Sequence, residues 1–221
     1  SGIAAQLANA GIPSYLLDIV PPNLSEEEKK NPAARNRIAE GNKQALLKSR
    51  PPQLMLKEDA DLITTGNMED NLSWLSECDW VVEVVPENLE IKKSVLKTIA
   101  PYIKPGTIVS TNTSSISINS IAEDMPIEFR RYWLGTHFFN PVRIMKLLEI
   151  IPGKDTLPEV VQFMADFGER VLGKGVVHCK DTPAFIANRC GNWGGPKAAK
   201  LMLELGLTFS EVDASMGPPM G

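Results

Sequence analysis

Apolar positions along the chain follow two spacings that alternate from the first residues to about residue 180. Short apolar runs, partly β-branched, predict strands at 13–20, 61–66, 79–86, 107–112, 132–139, 144–151 and 175–179. Stretches between and after them predict helices at 1–11, 34–49, 69–77, from 87, at 116–122, 158–172, 183–205 and from 206. This alternation predicts an α/β fold with a doubly wound, mostly parallel sheet, in which the last two strands are antiparallel additions. From about Asp181 the pattern is all-helical and indicates the beginning of a second domain.

The first twenty residues have the pattern of the second half of a dinucleotide-binding unit. A small-residue helix ends at Gly11, and the strand after it carries Asp18 near its end. The first half of such a unit, a strand and a Gly-rich turn, would precede Ser1. In that unit the acid binds the ribose hydroxyls, and no Arg follows Asp18 to favour a 2′-phosphate, so the pattern favours NAD. A surface Asp at a strand end is the alternative interpretation.

That missing strand would pair centrally in a doubly wound sheet. We therefore expect a gap in the middle of the sheet, and poor or no turnover by the 221 residues alone.

The predicted carboxyl edge of the sheet carries further polar residues. The strand at 79–86 is a run of Val interrupted by Glu83, which predicts a strand buried on both faces. Glu87 and Lys92 open the following helix, at the edge where open α/β sheets bind ligands. The strand at 107–112 leads into Thr113-Ser114-Ser115, and a cap for the helix at 116–122 is the structural alternative for these hydroxyls.

His137 and Glu149 are the strongest chemical candidates. They lie on consecutive predicted strands joined by the turn Asn140-Pro141, so the two strands can be antiparallel neighbours. A Glu inside an apolar run needs a partner, because an unpaired buried charge is costly. A His held by a carboxylate at one ring nitrogen can accept a proton at the other. A purely structural pair between two strands is the alternative.

Composition and charge narrow the range of partners. The net charge is −4 and the pI about 5.3, which disfavours nucleic acid and anionic membranes as partners. No apolar run approaches the length of a bilayer span, and no signal peptide is visible. Three cysteines without motif spacing indicate a reducing compartment, and we expect a cytoplasmic location. No Cys/His cluster suggests zinc, so we predict no metal.

The ordered motifs NTSS, HFFNPV, MKLLEI and KDTPAFIANR resemble those of the L-3-hydroxyacyl-CoA dehydrogenase family from Ser1 to Gly221. The resemblance implies an NAD-dependent oxidation of L-3-hydroxyacyl-CoA to 3-ketoacyl-CoA in fatty-acid β-oxidation. It implies a Rossmann-type NAD-binding domain at 1–180, and at 181–221 the beginning of a helical substrate and dimerisation domain. A homodimer through that helical domain is expected.

The resemblance also implies roles for nine residues, eight in the reaction or in cofactor binding and Lys48 in addition. His137 would be the general base, Glu149 its orienting carboxylate, and Ser114 and Asn188 the groups that hold the reacting oxygen. The implied cofactor contacts are Asp18, Glu87, Lys92, Ser114 and Asn140, and the implied substrate contacts are Ser114, Asn140, Asn188 and, in addition to these eight, Lys48.

Three alternatives stay open at this point. The chain could belong to a multifunctional protein with an enoyl-CoA hydratase module. It could be a catalytically silent NAD-binding or structural, crystallin-like protein, although retention of all four catalytic residues argues against this. It could also act on a different β-hydroxyacid, which the HFFNPV stretch disfavours.

Overall fold

The computed structural model describes residues 1–217, in which strands and helices alternate as the sequence predicts. The strands are β1 (Ser14–Asp18), β2 (Ile63–Asn67), β3 (Trp80–Glu83), β4 (Ile108–Thr111), β5 (Trp133–Phe138), β6 (Leu147–Pro152) and β7 (Gly175–His178). The α-helices are α1 (Gly2–Asn9), α2 (Pro32–Arg35), α3 (Arg37–Lys48), α4 (Leu89–Ile99), α5 (Ile118–Ile121), α6 (Ile127–Arg130), α7 (Pro158–Arg170), α8 (Ala187–Leu205) and α9 (Phe209–Met216). Short 3-10 helices span Glu28–Lys30, Lys57–Leu62, Leu72–Glu77 and Ala100–Tyr102.

The strands form two separate sheets. β1 and β2 make a parallel pair, and the second sheet has the order β3-β4-β5-β6-β7. Within the second sheet β3, β4 and β5 are parallel, β6 is antiparallel to β5, and β7 is parallel to β6. The last two strands therefore run against the others, as expected. These observations confirm the predicted α/β class with a mostly parallel sheet.

A break separates the two sheets, and the expectation that a further strand belongs in it stays a prediction. Among residues 1–217, no strand pairs β1 with β3, so each has one edge without a hydrogen-bonded neighbour. The prediction that the strand around β3 is buried on both faces was wrong. Trp80, Val81 and Val82 are only half-buried, and Glu83 alone is buried, because β3 is the edge strand of its sheet.

Helices cover both faces of the five-stranded sheet. On β5, Trp133 packs into one apolar cluster with Leu96 of α4, while the next residue, Leu134, packs into a second cluster with Met164 of α7. Successive side chains of a strand point to opposite faces, so a strand covered on both sides is apolar at every position. This explains why β5 and β6 carry nearly unbroken apolar runs, into which only Thr136, His137 and Glu149 introduce polar groups.

Several predicted helices have different boundaries. The helix expected at 34–49 is divided into α2 and α3 at Asn36, and the one expected at 69–77 is a 3-10 helix. The side chain of Asn67 accepts hydrogen bonds from the amides of Glu69 and Asp70. These local bonds compete with an α-helical start there.

Two helices begin later than predicted. α5 begins at Ile118 with Ser117 as its cap, so the Thr113–Ser115 cluster does not cap it. α8 begins at Ala187, not at residue 183. The backbone at Ala184 and Phe185 is left-handed, with φ of 63° and 48°, and a right-handed helix cannot run through two such residues.

The described chain from Ala187 to Met216 is mostly helical, and the last four residues of the predicted 181–221 domain lie outside the described residues. The division at residue 180 stays a prediction. None of the helices described for residues 1–217 combines the length and apolar character of a bilayer span.

Candidate active site

The site is built on the antiparallel pair β5–β6, which places His137 directly opposite Glu149. The imidazole Nδ1 lies 2.7 Å from Glu149 Oε2. Both side chains are buried, and His137 is 3% exposed. A carboxylate accepts hydrogen bonds only, so Nδ1 carries the proton and Nε2 of the neutral ring is free to accept one.

The second oxygen of Glu149 is held by the backbone where α8 begins. Oε1 accepts hydrogen bonds from the amides of Ile186 at 3.0 Å and Ala187 at 2.9 Å. Burial raises the pKa of Glu149, but the hydrogen bonds from His137, Ala187 and Ile186 outweigh it and leave the pKa below its usual value. Glu149 is therefore ionised at neutral pH and can stabilise an imidazolium.

Ser114 faces the other side of the imidazole. Its Oγ lies 3.1 Å from His137 Nε2, on the segment that follows β4 at the carboxyl edge of the sheet. Nε2 and the hydroxyl can therefore both contact one oxygen atom of a ligand bound at this edge.

Two aromatic rings enclose His137. The ring centre of Phe139 is 4.5 Å from that of the imidazole, and the ring centre of Phe185 is 5.6 Å away. Phe185 is itself buried. Such apolar walls fix the imidazole plane and limit its access to water on those sides.

Glu87 organises the segment that carries Ser114. Its Oε1 accepts from Thr113 Oγ1 at 2.6 Å, from the amides of Ser114 and Ser115 at 2.9 Å each, and from Ser115 Oγ at 3.0 Å. Burial raises its pKa, and these hydrogen bonds more than compensate, so the pKa of Glu87 falls to about 2.

Lys92 lies beneath Glu87 and is 1% exposed. Its Nζ donates to both oxygens of buried Glu83 at 3.1 and 3.2 Å and to the carbonyl of Val85 at 3.2 Å, and it lies 3.5 Å from Glu87 Oε2. Glu83 Oε2 also accepts from Thr111 Oγ1 at 2.7 Å. The ammonium group thus donates its hydrogen bonds to acceptors inside the protein. The cofactor role of Lys92 stays a prediction.

Asp18 lies at the carboxyl end of β1, as predicted. Its Oδ1 accepts from the amide of Ile19 at 2.8 Å and its Oδ2 from Asn42 Nδ2 at 3.1 Å. The carboxylate keeps further acceptor positions, which suits ribose hydroxyl groups. Its cofactor role stays a prediction.

Asn140 is exposed and lies beside the first turn of α1. A Cβ added to Gly2 would lie 3.9 Å from Asn140 Oδ1 and 3.0 Å from Val142 Cγ2, so the helix start approaches this turn closely. The N-terminus of a helix is a favourable place for phosphate groups. Asn140 therefore lies between His137, three residues before it on the chain, and a region suited to the phosphates of a dinucleotide.

The remaining two predicted site residues are less well defined. Asn188 is the second residue of α8 and half-buried, directly after Ala187, whose amide holds Glu149. Lys48 is the last residue of α3, and it is exposed. Neither side chain makes a hydrogen bond within residues 1–217, so their substrate roles stay predictions.

Comparison with known proteins decides the family. The family model described as 3-hydroxyacyl-CoA dehydrogenase, NAD binding domain, matches residues 1–182. The chain belongs to this family. The resemblance seen in the motifs is confirmed, and so is NAD as the cofactor of the family's domain.

Curated relatives of this dehydrogenase family extend the match over the whole chain. A probable 3-hydroxyacyl-CoA dehydrogenase of Bacillus subtilis is 49% identical over 100% of the chain, and one of Deinococcus radiodurans is 42% identical over 100% of it. The chain spans 29% and 62% of the length of these two relatives.

Solved dehydrogenase structures share the fold. A 3-hydroxybutyryl-CoA dehydrogenase from Escherichia coli K12 aligns with a TM-score of 0.73 and 31% identity, covering 92% of this chain and 40% of that one. An (S)-3-hydroxybutyryl-CoA dehydrogenase from Ralstonia eutropha aligns with a TM-score of 0.74 and 25% identity, covering 99% and 73%. These matches confirm the Rossmann-type fold.

Sequence reasoning about this dehydrogenase domain missed three groups of contacts. It missed the amides of Ile186 and Ala187 on Glu149, the hold of Glu87 on residues 113–115, and the interaction of Asp181 with α5. Asp181 accepts from Ser117 Oγ, from the amides of Ile118 and Asn119, and from Asn119 Nδ2. The hydroxyl cluster was a signal for the second group, but its partner lies 26 to 28 residues away.

Proposed function

We propose that the protein is an NAD-dependent dehydrogenase that oxidises L-3-hydroxyacyl-CoA to 3-ketoacyl-CoA. The observation that carries the proposal is the hydrogen-bonded series Ser114–His137–Glu149, with distances of 3.1 and 2.7 Å, at the carboxyl edge of the sheet. An alcohol oxidation needs a base for the hydroxyl proton beside a hydride acceptor, and the series supplies such a base.

His137 would accept the proton of the substrate 3-hydroxyl at Nε2. Ser114 Oγ, on the same side of the ring, would hydrogen-bond the reacting oxygen and keep it within reach of that nitrogen. The positive charge on the imidazole would be balanced by ionised Glu149, whose Oε2 keeps Nδ1 protonated and the ring oriented. Acid–base help of this kind typically contributes about 10²- to 10⁴-fold to the rate.

The residues present fit NAD. Asp18 offers a carboxylate at the end of β1 with no Arg after it, which suits the adenosine ribose hydroxyls. The nicotinamide half of the cofactor would contact polar atoms of Glu87, Ser114 and Asn140. Lys92 would hold the Glu87 carboxylate in place from inside the protein. When bound, NAD would supply the hydride acceptor.

The acyl-CoA substrate class is inferred from the relatives. Asn188 would help hold the substrate oxygen near His137, Asn140 would lie where nicotinamide and thioester meet, and Lys48 would contact the CoA portion. A relative from Rickettsia felis, a putative fatty acid oxidation complex trifunctional enzyme, is 37% identical over 96% of this chain. This supports a role in fatty-acid β-oxidation and a place in a multifunctional protein, for which we propose an enoyl-CoA hydratase module.

A homodimer through the helical segment and a cytoplasmic location are part of the proposal. Trp193, Leu203 and Leu205 of α8 and Phe209 of α9 are exposed, and a partner subunit would bury such apolar side chains. Cys78, Cys179 and Cys190 are free thiols, which suits a reducing compartment.

The test is NADH formation by the full-length protein with L-3-hydroxybutyryl-CoA and NAD. We expect His137→Ala to abolish turnover, because the proton acceptor is lost. His178→Gln is the matched control, since His178 is exposed on β7 and should leave the rate unchanged. Wild-type rates in the His137→Ala protein would refute the base, and an inactive wild-type protein would refute the reaction.

A further inference from the structure

Glu87 is 27 residues before Ser114 in the chain, and the two meet where the carboxyl ends of β3 and β4 lie side by side. We propose that Glu87 is a positioning residue for the catalytic base: its Oε1 holds the 113–115 segment so that Ser114 Oγ faces His137 Nε2. The role of His137 as a base rests on the proposed function, while the positioning itself rests on geometry alone.

The backbone of the segment depends on this one oxygen. Among the contacts of the described chain, Glu87 Oε1 is the only acceptor for the amides of Ser114 and Ser115. α5 begins only at Ile118, so no helix orders these residues. Ser114 is half-buried, and a half-buried amide without an acceptor is costly, so the segment would rearrange if Glu87 were removed.

Ser114 makes two contacts that are mechanically linked. Its amide is held by Glu87 at 2.9 Å and its hydroxyl faces His137 at 3.1 Å. A shift of about 1 Å in the backbone would carry the hydroxyl out of hydrogen-bond range of Nε2. Glu87 therefore influences the contact at the imidazole through Ser114, although it does not contact His137 itself.

The Glu87 carboxylate is itself held in place by a buried lysine. Oε2 lies 3.5 Å from the Nζ of buried Lys92, which is anchored by Glu83 on β3. A charge anchored in the sheet holds Glu87 in place, so its Oε1 has little freedom to leave the segment. The pKa of about 2 is consistent with a carboxylate that stays charged throughout the working range of pH.

A variant at Thr113 can test the positioning role of Glu87 without changing a group that could bind the cofactor. The Thr113 hydroxyl donates to Glu87 Oε1 at 2.6 Å, and the residue is 1% exposed, so it cannot touch a bound ligand. Thr113→Val keeps the shape of the side chain and removes both the donor to Glu87 and the acceptor for the amide of Ile116 at 3.2 Å. Glu90→Gln is the matched control for charge, because Glu90 lies in the first turn of α4 and makes no hydrogen bond to residues 113–115.

The decisive measurement is the ¹⁵N spectrum of the imidazole nitrogens in histidine-labelled protein without ligand. The chain has two histidines, so His178 is an internal reference, and a His178→Gln spectrum assigns the signals. We expect Glu87→Ala to shift the Nε2 signal of His137 and leave His178 unchanged. Thr113→Val should shift it in the same direction by a smaller amount, and Glu90→Gln should not shift it.

An unchanged His137 signal in folded Glu87→Ala protein overturns the proposal. If that variant does not fold, the Thr113→Val/Ser115→Ala double variant decides, because it removes two donors to Oε1 and keeps the carboxylate. A His137 shift in the double variant supports the proposal, and an unchanged signal overturns it.

Kinetics give an independent readout on the full-length protein. We expect Thr113→Val to lower kcat about 5-fold with the KM for NAD changed less than about 2-fold, the pattern of a lost transition-state interaction. A raised KM with unchanged kcat would instead mean that the segment serves only cofactor binding, and would overturn the positioning role. If the wild-type protein does not oxidise hydroxyacyl-CoA, the proposed function fails while the spectra still decide this inference.

Discussion

His137 and Glu149 occupy directly paired positions on β5 and β6, with Nδ1 and Oε2 2.7 Å apart. Side chains alternate between the faces of a sheet, so a slip of one residue in this pairing would separate the two groups completely. The orientation of the imidazole is therefore determined by sheet register, which the apolar neighbours on both strands fix.

The charge of Glu149 is predicted to matter more than its shape. Glu149→Gln keeps an oxygen that can accept a hydrogen bond but cannot stabilise the imidazolium. We expect kcat to fall about 10²-fold or more, with KM for the acyl-CoA little changed. Steady-state kinetics check this, with Glu159→Gln in the exposed first turn of α7 as control. Equal kcat values in the two variants would contradict the role.

Ser114→Ala should lower activity without loosening the fold. The variant loses the hydroxyl at His137 Nε2 but keeps the amide that donates to Glu87. We expect kcat to fall about 10-fold, the effect of one hydrogen bond to a reacting group, and the thermal midpoint to stay within about 1 °C. Ser94→Ala on the exposed side of α4 is the control. A large drop in the thermal midpoint would show that the hydroxyl is structural.

Glu87 is predicted to make stability depend on acid. Its folded-state pKa of about 2 lies below the usual value of 4.5, so it stabilises the native state above pH 4.5 and loses that contribution as the pH falls towards 2. The side chain is 38% exposed, and solvent screening reduces the contribution to about 1–2 kcal/mol.

Urea unfolding at about pH 7 and about pH 3 tests this contribution. Glu87→Gln cannot titrate, so its unfolding free energy should fall by about 1 kcal/mol less than that of the wild-type protein between the two pH values, because part of the contribution remains at about pH 3. The lowered pKa of Glu149 acts in the same direction and remains in both proteins. Identical pH dependence in the two proteins would contradict the prediction.

Asp181 is predicted to stabilise the junction between α5 and the segment leading to α8. It accepts four hydrogen bonds from Ser117, Ile118 and Asn119. Asp181→Asn would place an amide group among these donors, and we expect a loss of about 1–3 kcal/mol in unfolding free energy. Asp61→Asn on the exposed 3-10 helix before β2 is the control. Equal stability of both variants would contradict this.

The gap between the sheets bears on activity of the 221 residues alone. β1 carries Asp18, while β3 to β5 lead to Glu87, Ser114 and His137, and no strand in residues 1–217 bridges the two groups. We expect poor or no NADH formation by this polypeptide by itself. Robust turnover would contradict the expectation.

The sequence predicted those parts of the fold that local patterns encode. Short apolar runs located the seven strands described for residues 1–217, and one charged residue inside an apolar run, Glu149, identified its partner His137 across the sheet. These predictions succeeded because periodicity and the cost of burying a charge are local or pairwise properties.

The contacts that the sequence did not predict join residues far apart in the chain. Asp181 lies two residues before the predicted start of a helix but accepts from residues 62 to 64 positions earlier. Ala184 and Phe185 adopt left-handed backbone that neither residue type favours. Both outcomes depend on tertiary contacts, which outweigh local preferences and leave no signal in the neighbouring residues.

The backbone amides of Ile186 and Ala187 donate to Glu149. Cutting the chain at residue 180 would therefore remove hydrogen bonds from the site. A shortened polypeptide ending there would retain the imidazole and the carboxylate, yet the acid would lose two of its three hydrogen-bond donors. In the proposed reaction, the base would thus depend on the start of α8, and a shift of α8 would change the position of Glu149 against His137.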